Sequence, residues 1–170
     1  MEKILLPVDG SSDSLYAVRQ AVREFFKNPQ VEIHLLNVRR PLSANVGRFV
    51  SRSNIEGYHR EEAEKALKPC RELLAKYGVP YSAHIGSGDR AEVIVATARR
   101  LRCSLILIGT ARKNALLRVL EGSTTNRVLE LTNVPVHIVA GDKMPSLMRY
   151  GLPAGVGAAL TALLMLSAVD

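Results

Sequence analysis

Two stretches of the chain concentrate residue types able to hold a small anionic ligand. The first is Pro7-Val8-Asp9-Gly10-Ser11, where a carboxylate follows a short apolar run. Such a carboxylate accepts hydrogen bonds from an adenine amino group or a ribose hydroxyl, and it serves equally to cap its own turn. The second runs from Gly109 to Thr125, with Gly122-Ser123-Thr124 opening a helical pattern. Free backbone N–H groups, hydroxyls and the positive end of a helix dipole meet there and favour phosphate. Arg112, Lys113, Arg118 and Arg127 add positive charge around it. The plain alternative is a capped helix after a solvated basic loop.

Signals for catalysis are thinner. The chain has no GxxxxGK[ST] phosphate loop and no GxGxxG, and His34, His59, His84 and His137 are scattered without metal-ligand spacing. No catalytic residue and no metal site is therefore expected, and His137 reads as packing or interface. Cys70 and Cys103 fall within periodic apolar patterns, form no CxxC and follow no secretory signal, so they read as core residues of a cytoplasmic protein.

These candidates need a scaffold, and the composition supplies one. The 170 residues are 47% hydrophobic and 23% charged, which excludes wholesale disorder and a coiled-coil rod and leaves room for one domain with a short appendage. Lys and Arg number 23 against 16 Asp and Glu, and the net +7 suits an anionic partner. Nucleic acid fits poorly, because three Phe, five Tyr and no Trp offer little for base stacking.

Ile4-Leu5-Leu6 reads as a buried strand handing over to a loop. Ser11 and Ser12 supply an N-cap, and Leu15, Val18, Val22 and Phe25 recur at helical steps until Asn28-Pro29. Val31 to Val38 is a second strand, followed by an aperiodic stretch to Gly57 that reads as an exposed loop. Ala63 to Tyr77 is a helix closed by Gly78, and Val79 to Ile85 a strand closed by Gly86-Ser87-Gly88. Asp89 opens a helix, Leu105 to Ile108 is a strand, Ser123 to Leu131 a short helix, and Val134 to Val139 a last strand. Strict alternation predicts a parallel sheet with helices on both faces, with ligands beyond the C-terminal strand ends.

From Lys3-Ile-Leu-Leu-Pro-Val-Asp-Gly-Ser11 to Pro135-Val-His-Ile-Val139 the chain resembles the universal stress protein family. The resemblance implies an α/β fold of the adenine nucleotide alpha hydrolase-like type, a five-stranded parallel sheet in order 3-2-1-4-5. It also implies a homodimer through the last strand and a role in stress response or signalling rather than metabolic catalysis. ATP-binding members carry a glycine, two residues, a second glycine, nine residues, then Gly-Ser or Gly-Thr. Gly109 matches the first position and Gly122-Ser123 the last, with Lys113 to Glu121 between, but the second glycine is Arg112. By the same resemblance Pro7, Val8 and Asp9 line the adenine and ribose end, and Val38 flanks the base. Ser123 and Thr125, with Thr124 beside them, hold phosphate oxygens of ATP, which brings Mg2+ with it. Arg112 either blocks the backbone's approach to phosphate or pairs with it. The contrasting reading is a nucleotide-free dimeric interaction module.

Two other families fit less well. Asp9-Gly10-Ser11-Ser12-Asp13-Ser14 is similar to the Ser-Gly-Gly-x-Asp-Ser loop of ATP-pyrophosphatases only in its last positions, and Ile85-Gly86-Ser87 lacks the aspartate of a receiver domain.

The expected organisation is a domain over residues 1–142, a basic linker over 143–150 and a hydrophobic tail over 151–170. No charge occurs from Gly151 to Val169, a length that as a helix spans about 28 Å, close to a bilayer core. Lys143 and Arg149 before it favour a domain on the cytoplasmic face of a membrane. Gly151, Pro153, Gly155 and Gly157 weaken its first half, so the tail is read either as a membrane anchor or as a segment docking on the domain or a membrane-protein partner.

Overall fold

An unbroken apolar strand needs cover on both faces, and the first strand has it. The computed structural model describes residues 2–41, 52–110 and 124–140. In β1 (Lys3–Pro7), Ile4 and Leu6 enter one core and Leu5 the other, all fully buried. Each such side chain contributes about 1.5–3 kcal/mol by leaving water.

The chain continues as α1 (Ser12–Lys27), β2 (Glu32–Arg39), α2 (Arg52–Lys76), β3 (Tyr81–Ser87), α3 (Arg90–Leu101), β4 (Leu105–Thr110), α4 (Thr124–Leu131) and β5 (Val136–Ala140). The strands form one parallel sheet, as their alternation with helices predicts, in the order β3-β2-β1-β4-β5 that the resemblance implies. Helices α1 and α2 cover one face around Val18, Leu67 and Leu74, and α3 and α4 cover the other around Ile94, Ala98 and Val128. Cys70 and Cys103 are buried and free, and burial pushes the Cys70 thiol up to about 11, which suits inert core residues.

Local signals place the helix ends. Ser11 accepts a hydrogen bond from the Ser14 N–H to start α1, and Asp89 accepts from the Ala91 and Glu92 N–H groups to start α3. Gly78 ends α2 with φ +65°, the left-handed turn expected of it.

The exposed loop expected up to Gly57 is shorter than predicted, because α2 already begins at Arg52. Gly57 and Tyr58 are exposed, so the first turns carry no apolar stripe to be read from sequence. They extend a helix whose packed part lies at Ala63, Leu67 and Leu74. Segment 141–170, with the expected linker and tail helix, lies outside the described residues, as do Arg112, Gly122 and Ser123. Among the described residues no helix is long and apolar enough to cross a membrane.

Gly109 explains itself at this level. A Cβ built there would lie 1.9 Å from the Asp13 carbonyl oxygen, so the end of β4 passes the first turn of α1 at backbone distance. Gly109→Ala should therefore destabilise the fold by about 1–3 kcal/mol, read as a lower urea midpoint. An unchanged midpoint would mean the two backbones separate at no cost.

Candidate functional site

Beyond the C-terminal ends of β1, β2 and β4 lies a cleft of about 160 Å³. It is built from the two chain crossings singled out in the sequence. Pro7, Val8 and Asp9 form the β1 side, Val38 comes from β2, Gly109 from β4, and Thr124 and Thr125 from the start of α4. These seven residues, each assigned to a ligand by the resemblance or the motif, thus line one cavity. Arg112, Gly122 and Ser123 lie outside that part, and no position is given for them.

Asp9 is held by the turn it follows. Its Oδ1 accepts from the Ser11 N–H at 3.0 Å and the Ser14 hydroxyl at 2.7 Å, while its own N–H donates to Ser14 Oγ at 3.1 Å. Partial burial raises the carboxyl pKa, but the hydrogen bonds from Ser11 and Ser14 outweigh it and hold the group below its ordinary value of 3.8. Asp9 is therefore a carboxylate at neutral and mildly acidic pH. Both local contacts use Oδ1, and among the described residues Oδ2 keeps its accepting capacity for a ligand.

Gly10 allows this geometry, with φ +85° and a Cβ position only 3.1 Å from the Ala66 backbone. On the β2 side, Asn37 Nδ2 donates to the Val8 carbonyl at 2.7 Å, and the Val8 N–H donates to the Leu36 carbonyl at 2.8 Å. Asn37 is 1% exposed, so this bond is made away from water and fixes the β1 exit against β2.

The remaining wall is apolar: Leu36, Ile94 and Ile108 join Val38 as a surface against which a flat ring can lie. Ser11, the last residue of the first candidate stretch, completes the rim with Asp13, Ser14 and Arg90, three residues that sequence reasoning did not select for the site. Asn37 had a usable signal, a lone amide inside an apolar strand. Arg90 had none, because its place at the cleft follows only from where α3 starts.

Arg127, one of the basic residues that the sequence places around the segment from Gly109 to Thr125 without showing which of them converge, turns to acidic partners. Its guanidinium lies 3.3 Å from Asp89 Oδ2 and 3.6 Å from Glu92 Oε1, so it ties α4 to the cap of α3. Arg90 is the cation lining the cleft among the described residues and has no ion-pair partner among them.

The chain resembles known proteins over this whole architecture. A universal stress protein of Methanocaldococcus jannaschii, MJ0531, is 31% identical over 148 residues, covering 84% of each chain. Universal stress protein YxiE of Bacillus subtilis is 29% identical over 145 residues, covering 81% of this chain and 97% of its own. Among solved structures, the hypothetical protein MJ0577 superposes with a TM-score of 0.66 at 27% identity, over 84% of this chain and 98% of that one. A universal stress protein from Arabidopsis thaliana, At3g01520, solved with AMP bound, shares the fold at a TM-score of 0.60 and 18% identity, over 86% of this chain and 97% of its own. The family model for universal stress proteins matches residues 1–140, all five strands and the cleft between them included, and the chain belongs to the universal stress protein family.

Proposed function

We propose that the cleft binds an adenine nucleotide and that the protein uses its occupancy as a signal in stress response. The observation that carries this reading is the convergence of Pro7, Val8, Asp9, Val38, Gly109, Thr124 and Thr125 on one cavity. The apolar wall suits a purine, and Asp9 suits an amino or hydroxyl donor. The α4 N-terminus, with the positive end of its helix dipole and two threonine hydroxyls, suits phosphate. Two proteins of the same fold support the choice of adenine: the Arabidopsis protein has AMP bound, and another universal stress protein was solved in complex with cAMP.

The finer proposal is ATP with Mg2+, the metal arriving on the phosphates rather than in a protein cage. It rests on the glycine spacing kept at Gly109 and Gly122-Ser123, with Arg112 in place of the middle glycine. Isothermal titration of the full chain with ATP, AMP and adenosine tests both levels. Asp9→Ala should weaken all three ligands about tenfold or more, the cost of a charge-assisted hydrogen bond. If no adenine compound binds up to millimolar concentration, the chain is a nucleotide-free interaction module. Tighter ATP binding by Arg112→Gly would then identify the arginine as the obstruction.

The homodimer is proposed on the same footing. Strand β5 pairs on one side only among the described residues, leaving an edge where Val136, Ile138 and Val139 are partly exposed and His137 is exposed. Sedimentation equilibrium should return twice the chain mass; a monomer at micromolar concentration would remove the proposal.

Residues 151–169, free of charge, are proposed to attach the domain to a membrane surface. Carbonate extraction of native membranes should leave the full chain in the pellet, and recovery in the supernatant would favour docking on protein instead.

A further inference from the structure

Two histidines far apart in sequence meet on the sheet face covered by α3. His34 of β2 and His84 of β3 lie on one face of neighbouring parallel strands, His34 in register with Ser82 and His84 with Leu36. Their ring nitrogens Nδ1 and Nε2 stand 3.2 Å apart, with ring centroids 5.4 Å apart and planes tilted by 39°. Behind His34, Glu32 Oε2 lies 3.5 Å from Nε2, within ion-pair range though outside hydrogen-bond geometry, and that nitrogen is buried without a hydrogen-bond partner. Lys3 pairs with the same carboxylate at 2.9 Å.

We propose that His34 and His84 are the protein half of a binding site for a borderline divalent metal ion of the Zn(II) or Cu(II) class, with Glu32 orienting His34 from behind. Two nitrogens bound at about 2.0–2.1 Å to one tetrahedral zinc stand about 3.3–3.4 Å apart. The observed separation is close to that bite. The ion would sit off the line joining the nitrogens, so each ring must turn about Cβ–Cγ to aim its lone pair at it.

The surroundings prepare the ligands. The Glu32 carboxylate 3.5 Å from His34 Nε2 favours a proton on that nitrogen, and on closing to hydrogen-bond distance it would leave Nδ1 with its lone pair facing His84 in a carboxylate–histidine–metal arrangement. Burial, with Arg100 and the two rings' mutual effect added at His84, holds both imidazoles below their ordinary pKa of 6.5, so both are neutral ligands at neutral pH. Lys3 and Arg100 oppose a cation, and Glu32 offsets Lys3 directly.

No group of three ligating side chains gathers among the described residues, so water fills the other coordination positions from the side of His84, which is partly exposed on an edge strand. Such a two-histidine site binds exchangeably rather than permanently. Nitrogen ligands and neutral water select zinc, copper or nickel over magnesium and calcium, which keeps the site chemically separate from a nucleotide-borne Mg2+. Bound metal would clamp the outermost strand β3 to β2.

The test uses the full chain, stripped with chelator and free of nucleotide, titrated with Zn(II) alone. One equivalent should bind saturably and raise the thermal midpoint. His84→Ala, a change on a partly exposed edge, should abolish both effects, and Glu32→Gln should weaken binding about 10- to 100-fold at unchanged stoichiometry. In the unaltered chain, the imidazole NMR signals of His34 and His84 should shift together while those of His59 and His137 stay in place. The proposal is overturned if Zn(II) fails to saturate below millimolar concentration, if His84→Ala binds as well as the parent, or if His59 and His137 carry the shifts. The two rings would then be a hydrogen-bonded pair only.

Discussion

The approach of Gly109 to the Asp13 carbonyl is the constraint from which the cleft follows. A side chain of any kind at the end of β4 would hold that strand away from α1, and the two chain crossings would face each other across a gap instead of sharing a cavity. With hydrogen in place of Cβ, the exits of β1 and β4 lie against one another. Thr124 and Thr125 are then brought round to face the turn that carries Asp9. The glycine thus has a packing explanation independent of any ligand. Its part in a phosphate motif is laid over a structural requirement.

The second requirement is that the turn itself be rigid. Asp9, Ser11 and Ser14 form a closed set of hydrogen bonds, and the buried Asn37 holds the Val8 carbonyl from β2. A carboxylate fixed in this way meets a ligand with its orientation already set, so binding loses less to ordering. The same bonds keep it ionised, which ties the local backbone geometry to the electrostatics of the cleft.

Much of this was legible in the residues. The β1 run Ile4-Leu5-Leu6 has no alternation, and only a central parallel strand buries both sides of such a run. Cap residues Ser11 and Asp89 and the left-handed Gly78 marked helix ends that the structure reproduces. The first turns of α2 escaped because Asn54, Gly57, Tyr58 and Arg60 face solvent and leave no apolar period in the sequence. The partners of Arg127 were not legible for a different reason: the sequence shows a basic residue near a helix N-terminus but not where its side chain goes, and only the packing of α4 on α3 reveals that Asp89 and Glu92 claim it. The pairing of His34 with His84 was likewise invisible, since fifty residues separate them and strand register alone brings them together.

The link from Arg127 to Asp89 couples two helix starts that belong to different walls. A displacement of α4 at its threonine end must either sever that contact or drag the first turn of α3 along, and Arg90 rides on that turn. The outer layer over this half of the sheet is thus laced across its two helix starts by a half-exposed ion pair, a tie of about 1 kcal/mol or less that holds the rim in place without locking it.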